Sequence, residues 1–371
     1  MNEKGARIFL IGFTLVTLLV LFQQLFHPIK LAGLQGAFDA GEPPRFSASL
    51  WFEGKYQQHS DHFLKYNTAF NGELVRLRNQ VDYSVFGNIN TILTLGKENY
   101  IFDPNYIYSI NGTDLLNDSL KSQKIQAIYE VKTILDSLSV PLLICFAPNK
   151  ANYFQEYLND VLINSKRTNR ILFDSIFKSF HVPVLDYDKW FLTLKDTSSW
   201  PLVPKFGAHW STYGAFFAAD TLLSSLRALT GKNLASFSVT GIDIALKTRY
   251  TDDDYLASLN LMIKWKSPPM AYPILQFHSG DKPNVMIVSD SFIWNFYDLQ
   301  IIQNCFSDKS QIRYYNKSTF DINKNPTGVA GEIKLADLAN RDCIIILSSD
   351  PSLKDLGFGF LESVSNLKQD D

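Results

Sequence analysis

The sequence predicts an α/β fold, a mostly parallel sheet flanked by helices, with an N-terminal transmembrane anchor. Three observations predict it. Short runs at 140–147, 285–288 and 343–347 are continuously apolar; strands buried on both faces read this way, whereas a strand with one wet face alternates. Segments of helical spacing lie between these runs, the order expected of a sheet joined by crossover helices. An uncharged apolar run over 8–26 follows Lys4 and Arg7 and has roughly the 20 residues needed to span a bilayer core.

The anchor comes first in the chain. Basic residues ahead of the apolar run hold the start in the cytoplasm and send the remainder across. The run closes on Phe22, Gln23, Gln24, Leu25 and Phe26, without the small-x-small site of a cleaved signal peptide, so it reads as an uncleaved anchor. The expected organisation is a tail over 1–7, the anchor over 8–27, a Gly/Pro/Ala linker over 28–46, and one extracytoplasmic domain over 47–371.

Within that domain, Trp51, Tyr56, Phe63, Leu64, Phe70, Leu74 and Leu77 recur three and four apart, an amphipathic helical stretch. A hairpin follows over 92–102, turning on Gly96-Lys97-Glu98-Asn99. Ile125, Ile128, Val131, Ile134, Leu135 and Leu138 place a helix over 119–138, before the buried strand at 140–147. A helix over 169–180 and a short strand over 182–185 come next. The long helical segment 212–229 is stopped by Gly231. Strands over 285–288, 311–315 and 343–347, with a helix over 332–338, complete the pattern.

Composition narrows the function. Lys plus Arg number 35 against 37 Asp plus Glu, a net charge of −2, so no cationic surplus exists to neutralise a nucleic-acid backbone. The 3 cysteines are Cys145, Cys305 and Cys343; their wide spacing offers neither a disulfide framework nor a metal pattern. No Gly-x-Gly-x-x-Gly or P-loop string follows a strand, so no nucleotide cofactor is expected.

In open α/β sheets the chemistry gathers at the carboxyl ends of the strands, which directs attention to three places. Ser291 follows the 285–288 strand by a very short turn, where helix N–H groups can hold an oxyanion; the plainer reading is a capping serine beside the turn formers Ser289 and Asp290. His209 lies in Gly207-Ala208-His209-Trp210-Ser211 ahead of the long helix and can take a proton from a serine hydroxyl, or simply pack in a loop beside Trp210. Pro148-Asn149-Lys150 follows the first buried strand, and Lys150 there orients a carbohydrate, helps hold a negatively charged intermediate, or is a surface lysine. The run Asp252-Asp253-Asp254 reads as a solvated turn or as acidic support for a histidine; no second cluster of metal-ligand spacing accompanies it, so no metal is expected.

Taken together, these residues resemble the SGNH-hydrolase-like proteins of bacterial polysaccharide O-acetylation, the AlgJ and AlgX group. The resemblance rests on the order of Trp51-Phe52-Glu53-Gly54-Lys55-Tyr56, the Gly96-Lys97 turn leading to Tyr100-Ile101-Phe102, Phe146-Ala147-Pro148-Asn149-Lys150, His209-Trp210-Ser211 with Tyr213-Gly214-Ala215, and Val288-Ser289-Asp290-Ser291-Phe292. It implies that Ser291 is the acyl nucleophile and His209 its base; beside them Asp290 and Asp253 are the further catalytic candidates, and Asn149, Lys150 and Trp210 the candidates toward the substrate. It further implies a polysaccharide acceptor, a periplasmic domain on a single-pass inner-membrane anchor, and a multi-spanning membrane O-acyltransferase of the MBOAT type as partner. Two positions depart from the family pattern. Ser289 stands for Gly, and Gly207 stands where the family often has the Asp that fixes the histidine tautomer. Another acid at 252–254, a Ser–His dyad or a decayed site are the alternatives. Three activities fit: acetyl transfer, acetyl-ester hydrolysis, or a non-catalytic polysaccharide-binding scaffold.

Overall fold

The structure, a computed structural model, describes residues 3–36, 41–159 and 167–368. The described chain divides into two compact units, residues 1–91 with 255–265 and residues 92–254 with 266–371. The boundary expected at 46/47 does not coincide with this division.

The smaller unit begins with the helix Glu3–Phe26, long and apolar enough to cross a membrane and largely exposed apart from the buried Gln23 near its end. Residues 37–40 of the expected linker lie outside the described residues; the rest of it forms neither helix nor strand. The amphipathic stretch is three helices, Ala48–Phe52, Lys55–Asn67 and Asn71–Phe86. The last is tied to the 255–265 segment, where Asn79 Nδ2 donates to the Leu259 carbonyl at 2.9 Å and Tyr83 packs on Trp265.

The larger unit opens with the expected hairpin, β1 (Thr94–Leu95) and β2 (Ile101–Phe102), paired antiparallel. Next come β3 (Leu142–Phe146), β4 (Val184–Asp186), β5 (Ser236–Ala245), β6 (Met270–His278), β7 (Val285–Ser289), β8 (Gln311–Tyr314), β9 (Ser318–Phe320), β10 (Pro326–Val329) and β11 (Cys343–Ser348). Seven of them make the central sheet in the order β10-β9-β8-β7-β11-β3-β4. The five strands from β8 to β4 are parallel, and β9 and β10 add an antiparallel edge.

Alternate residues of the fully buried strands feed two separate cores. Leu143, Cys145, Ile287, Ile345 and Leu347 join the helices Tyr187–Leu194 and Thr212–Thr230 on one face. Leu142, Ile144, Met286, Val288, Ile344 and Ile346 join Asp118–Ser137, Asn169–Ser179 and Phe360–Ser365 on the other. Two apolar faces are the reason these strands lack alternation. The three cysteines are buried and unbridged.

β5 and β6 form their own two-stranded antiparallel sheet, absent from the sequence reading. A register shift between Val239 and Gly241 breaks the phase of the alternation in β5, and a bulge of this kind hides a strand from a period-two search.

Candidate active site

Ser291 sits immediately after β7, at the carboxyl end of a central parallel strand. Asp290 caps the turn: its buried carboxylate accepts from the Phe292 N–H at 3.2 Å, from the Ser349 N–H at 2.7 Å and from the Ser352 hydroxyl at 3.2 Å. The last two partners follow β11, the neighbouring strand. Asp290 therefore clamps the Ser291 turn to the loop beside it, and holds the serine rather than reaching past it.

His209 enters from the loop before Thr212–Thr230, whose first turn is capped by Ser211 accepting from the Gly214 N–H at 2.8 Å. His209 Nε2 lies 2.7 Å from Ser291 Oγ. Its ring stands edge-on to Phe292, centroids 4.8 Å apart, and is 9% exposed as a side chain. Serine and imidazole, 82 residues apart in the chain, are hydrogen-bonded.

On the far side of the ring, Nδ1 lies 3.0 Å from Asp254 Oδ2, and the other oxygen of that carboxylate accepts from the Ala208 N–H at 2.8 Å. An acid in this place holds the proton on Nδ1, which leaves Nε2 as the acceptor facing the hydroxyl. Asp253, expected in the group, is not the residue on His209; its neighbour Asp254 is. A loop residue's direction cannot be read from a run of three identical side chains.

Gly207 explains why the acid arrives from elsewhere. A Cβ there would lie 2.4 Å from the Thr251 carbonyl oxygen and 3.0 Å from the Asp252 backbone. The two loops are in contact at that point, and no side chain fits between them. Asn295 Nδ2 donates to Thr251 Oγ1 at 2.9 Å, which ties the Ser291 segment to the same acidic loop. Asp252 turns inward, accepting from the Thr212 N–H at 3.0 Å. Burial pushes its carboxyl up to about 7, against the pull of its hydrogen bonds to Thr212 and Tyr272.

Lys150, Asn149 and Trp210 are placed differently from the sequence expectation. Lys150 is 1% exposed, and its ammonium donates to the carbonyls of Lys205 and Gly207, each at 2.7 Å. Burial holds its pKa well below the usual lysine range, with Asp254 acting in the opposite sense. It is a strut under the His209 loop rather than a surface contact for a sugar. Asn149 is fully buried: it caps Lys150–Tyr153 and donates to Asp350 Oδ2 at 2.8 Å. Trp210 is also fully buried, stacked at 5.1 Å on Phe296 and edge-on at 5.2 Å to Phe292. None of the three presents a face to a ligand. Sequence alone could not separate a polar residue at a strand end that points outward from one consumed inside.

Tyr315 went unnoticed in the sequence. It follows β8 with a left-handed backbone, φ 48°, and its N–H donates to the Ser289 carbonyl at 2.7 Å. Burial and the nearby Asp290 push its phenol up to about 12, while hydrogen bonding to the side chain and backbone of Ser291 acts downward. The Tyr315 N–H bond to Ser289 places this tyrosine against the strand end that carries Ser291. Part of the signal was available: Tyr315 closes the 311–315 run, and chemistry gathers at the carboxyl ends of such strands; its left-handed backbone, a recurrent mark of functional sites, shows only in the fold.

No family model matches the chain, and no curated protein matches it. Solved structures do. The O-acetyltransferase domain of Pseudomonas putida AlgJ is similar at 15% identity and a TM-score of 0.46, over 74% of this chain and 98% of that one. Pseudomonas aeruginosa AlgX is similar at 11% identity and a TM-score of 0.48, over 76% of this chain and 71% of that one. Bacillus cereus PatB1 with a sulfonyl adduct is similar at 10% identity and a TM-score of 0.47, over 73% of this chain and 98% of that one.

Proposed function

We propose that this chain transfers an acetyl group to a polysaccharide through Ser291. The observation that carries the reading is the unbroken chain Ser291 Oγ, His209 Nε2, His209 Nδ1 and Asp254 Oδ2, linked at 2.7 and 3.0 Å. The serine oxygen attacks the acetyl carbonyl while His209 takes its proton, and the donor's leaving group departs with that proton. The backbone N–H of Ser291 and the Tyr315 hydroxyl hold the developing oxyanion. A sugar hydroxyl then gives its proton to His209, attacks the acetyl-serine and leaves as the ester. Ser291 regains its proton.

The helix Glu3–Phe26 supports a tethered enzyme on the outer side of a bacterial inner membrane, where a multi-spanning acyltransferase of the MBOAT type would supply acetyl groups. The test uses the detergent-solubilised full chain with p-nitrophenyl acetate. Mass spectrometry should find the acetyl group on Ser291, and an oligosaccharide acceptor should increase nitrophenol release and become acetylated. Equal release with and without acceptor, and no acetylated sugar, would make the protein an acetyl esterase. Unchanged polymer acetylation in cells carrying Ser291→Ala at normal protein level would leave only a scaffold.

A further inference from the structure

Beside the acidic loop lies a cleft of about 480 Å³ that no step of the proposed transfer uses. Its volume falls in the roughly 300–1,000 Å³ range of small-ligand sites. Its walls come from β5, β6, residues 249–250 and residues 298–300. Several lining residues adjoin the candidate active site in sequence: Arg249 and Tyr250 lead into the Asp252–Asp254 turn, Thr212 stands three residues after His209, and Asp298 ends the short helix that follows Ser291. Burial raises the Asp298 carboxyl, and Lys324 and then His209 pull it back, so the cleft lies within electrostatic reach of the imidazole.

The chemistry of the lining suits a sugar. Tyr250 is 54% exposed and stands over the buried Tyr272, ring centroids 6.3 Å apart. An exposed aromatic face of this kind packs on the C–H face of a pyranose. Asp243 and Asp298 are carboxylates, acceptor-only groups matched to hydroxyl donors. The lining carries three charged side chains, Asp243, Arg249 and Asp298, and the cation among them is committed. Arg249 pairs with Asp243 and lies 4.5 Å above the Tyr272 ring. Asp298 in turn is paired with Lys324 at 3.4 Å. Among the lining residues no unpaired cation is left to meet a carboxylate on each sugar, and the two lining carboxylates, Asp243 and Asp298, repel one.

We propose that this cleft seats an uncharged glycan chain and presents one of its hydroxyls for acetylation, in preference to a polyuronate; the acceptor role rests on the acetyl-transfer reading. The test measures binding to the detergent-solubilised full chain by titration calorimetry with no acetyl donor present. The probes are hexamers of glucose, of N-acetylglucosamine and of uronic acid. At least one neutral hexamer should bind tenfold or more tightly than the uronate, with little dependence on salt. Tyr250→Ala should weaken that binding fivefold or more, and Tyr250→Phe should retain it, which also controls for folding. Acetylation of Ser291 by p-nitrophenyl acetate should stay within twofold in both variants. Tighter, salt-sensitive binding of the uronate, binding of no hexamer, or binding unchanged by Tyr250→Ala overturns the inference. Tyr250-dependent binding of a neutral hexamer with no acetylation of Ser291 supports the glycan site and overturns the transfer reading alone.

Discussion

Asp254→Asn is the sharpest test of how the site works. The amide is nearly isosteric, so it keeps the packing and removes only the charge and the clean acceptor set. The carboxylate lies 3.0 Å from His209 Nδ1, and two unit charges at that distance interact by about 5.5 kcal/mol at an effective dielectric of ~20. Asp254 is 32% exposed as a side chain, and doubling the effective dielectric for that solvent access halves the figure to about 3 kcal/mol. At ~1.4 kcal/mol per decade of rate, the loss of support for the imidazolium predicts a fall in kcat of about 10² to 10⁴. The same exchange in a serine-protease triad costs about 10⁴. The assay is single-turnover release of nitrophenol from p-nitrophenyl acetate by the full chain, with KM followed in parallel. KM should move little. If Asp254→Asn stays within threefold of wild type while Asp253→Asn falls a hundredfold, the carboxylate has been misplaced and the reasoning fails.

Three further outcomes follow from the packing and the buried charges. Trp210→Ala should destabilise the protein by about 3–5 kcal/mol in denaturant, as for a fully buried aromatic; unchanged stability with raised KM would return Trp210 to a sugar contact. Lys150→Met strips the buried carbonyls of Lys205 and Gly207 of their donor at about 1–3 kcal/mol each. The melting temperature should fall, and kcat more than tenfold with it; wild-type kcat would show that the His209 loop does not depend on this strut. Asp252 has its carboxyl raised in the fold to about 7, so between pH 4 and 7 the folded chain binds more protons than the unfolded one. Stability should therefore decline as pH rises through that window, and Asp252→Asn should flatten the decline in melting temperature; an identical slope in the variant would place the titrating group elsewhere.

Much of the central architecture was readable from local pattern. The runs at 140–147, 285–288 and 343–347 announce β3, β7 and β11 because strands covered on both faces need no polar residues. Helical spacing over 119–138 and 212–229 announces the helices Asp118–Ser137 and Thr212–Thr230, since each buries a single stripe. The β5–β6 pair escaped because its bulge disrupts the alternation, and the small edge strands β9 and β10 are too short to carry a period.

The same division runs through the site. Ser291 and His209 stand out in one dimension because strand ends and helix starts are where an α/β sheet exposes reactive groups. Which acid meets the imidazole was decided only in three dimensions. Gly207 has a carbonyl oxygen 2.4 Å from where its Cβ would be, so the carboxylate had to come from the facing loop, and the backbone path of that loop selects Asp254 over its two neighbours. Burial made the remaining distinctions. Asn149, Lys150 and Trp210 have side chains that bind sugars when exposed, and here the tertiary fold spends the hydrogen bonds of the first two and the ring surface of the third inside. Sequence determines which residues lie at the ends of the strands, through hydrophobic periodicity; only the packed chain determines which of those side chains face the solvent and which face each other.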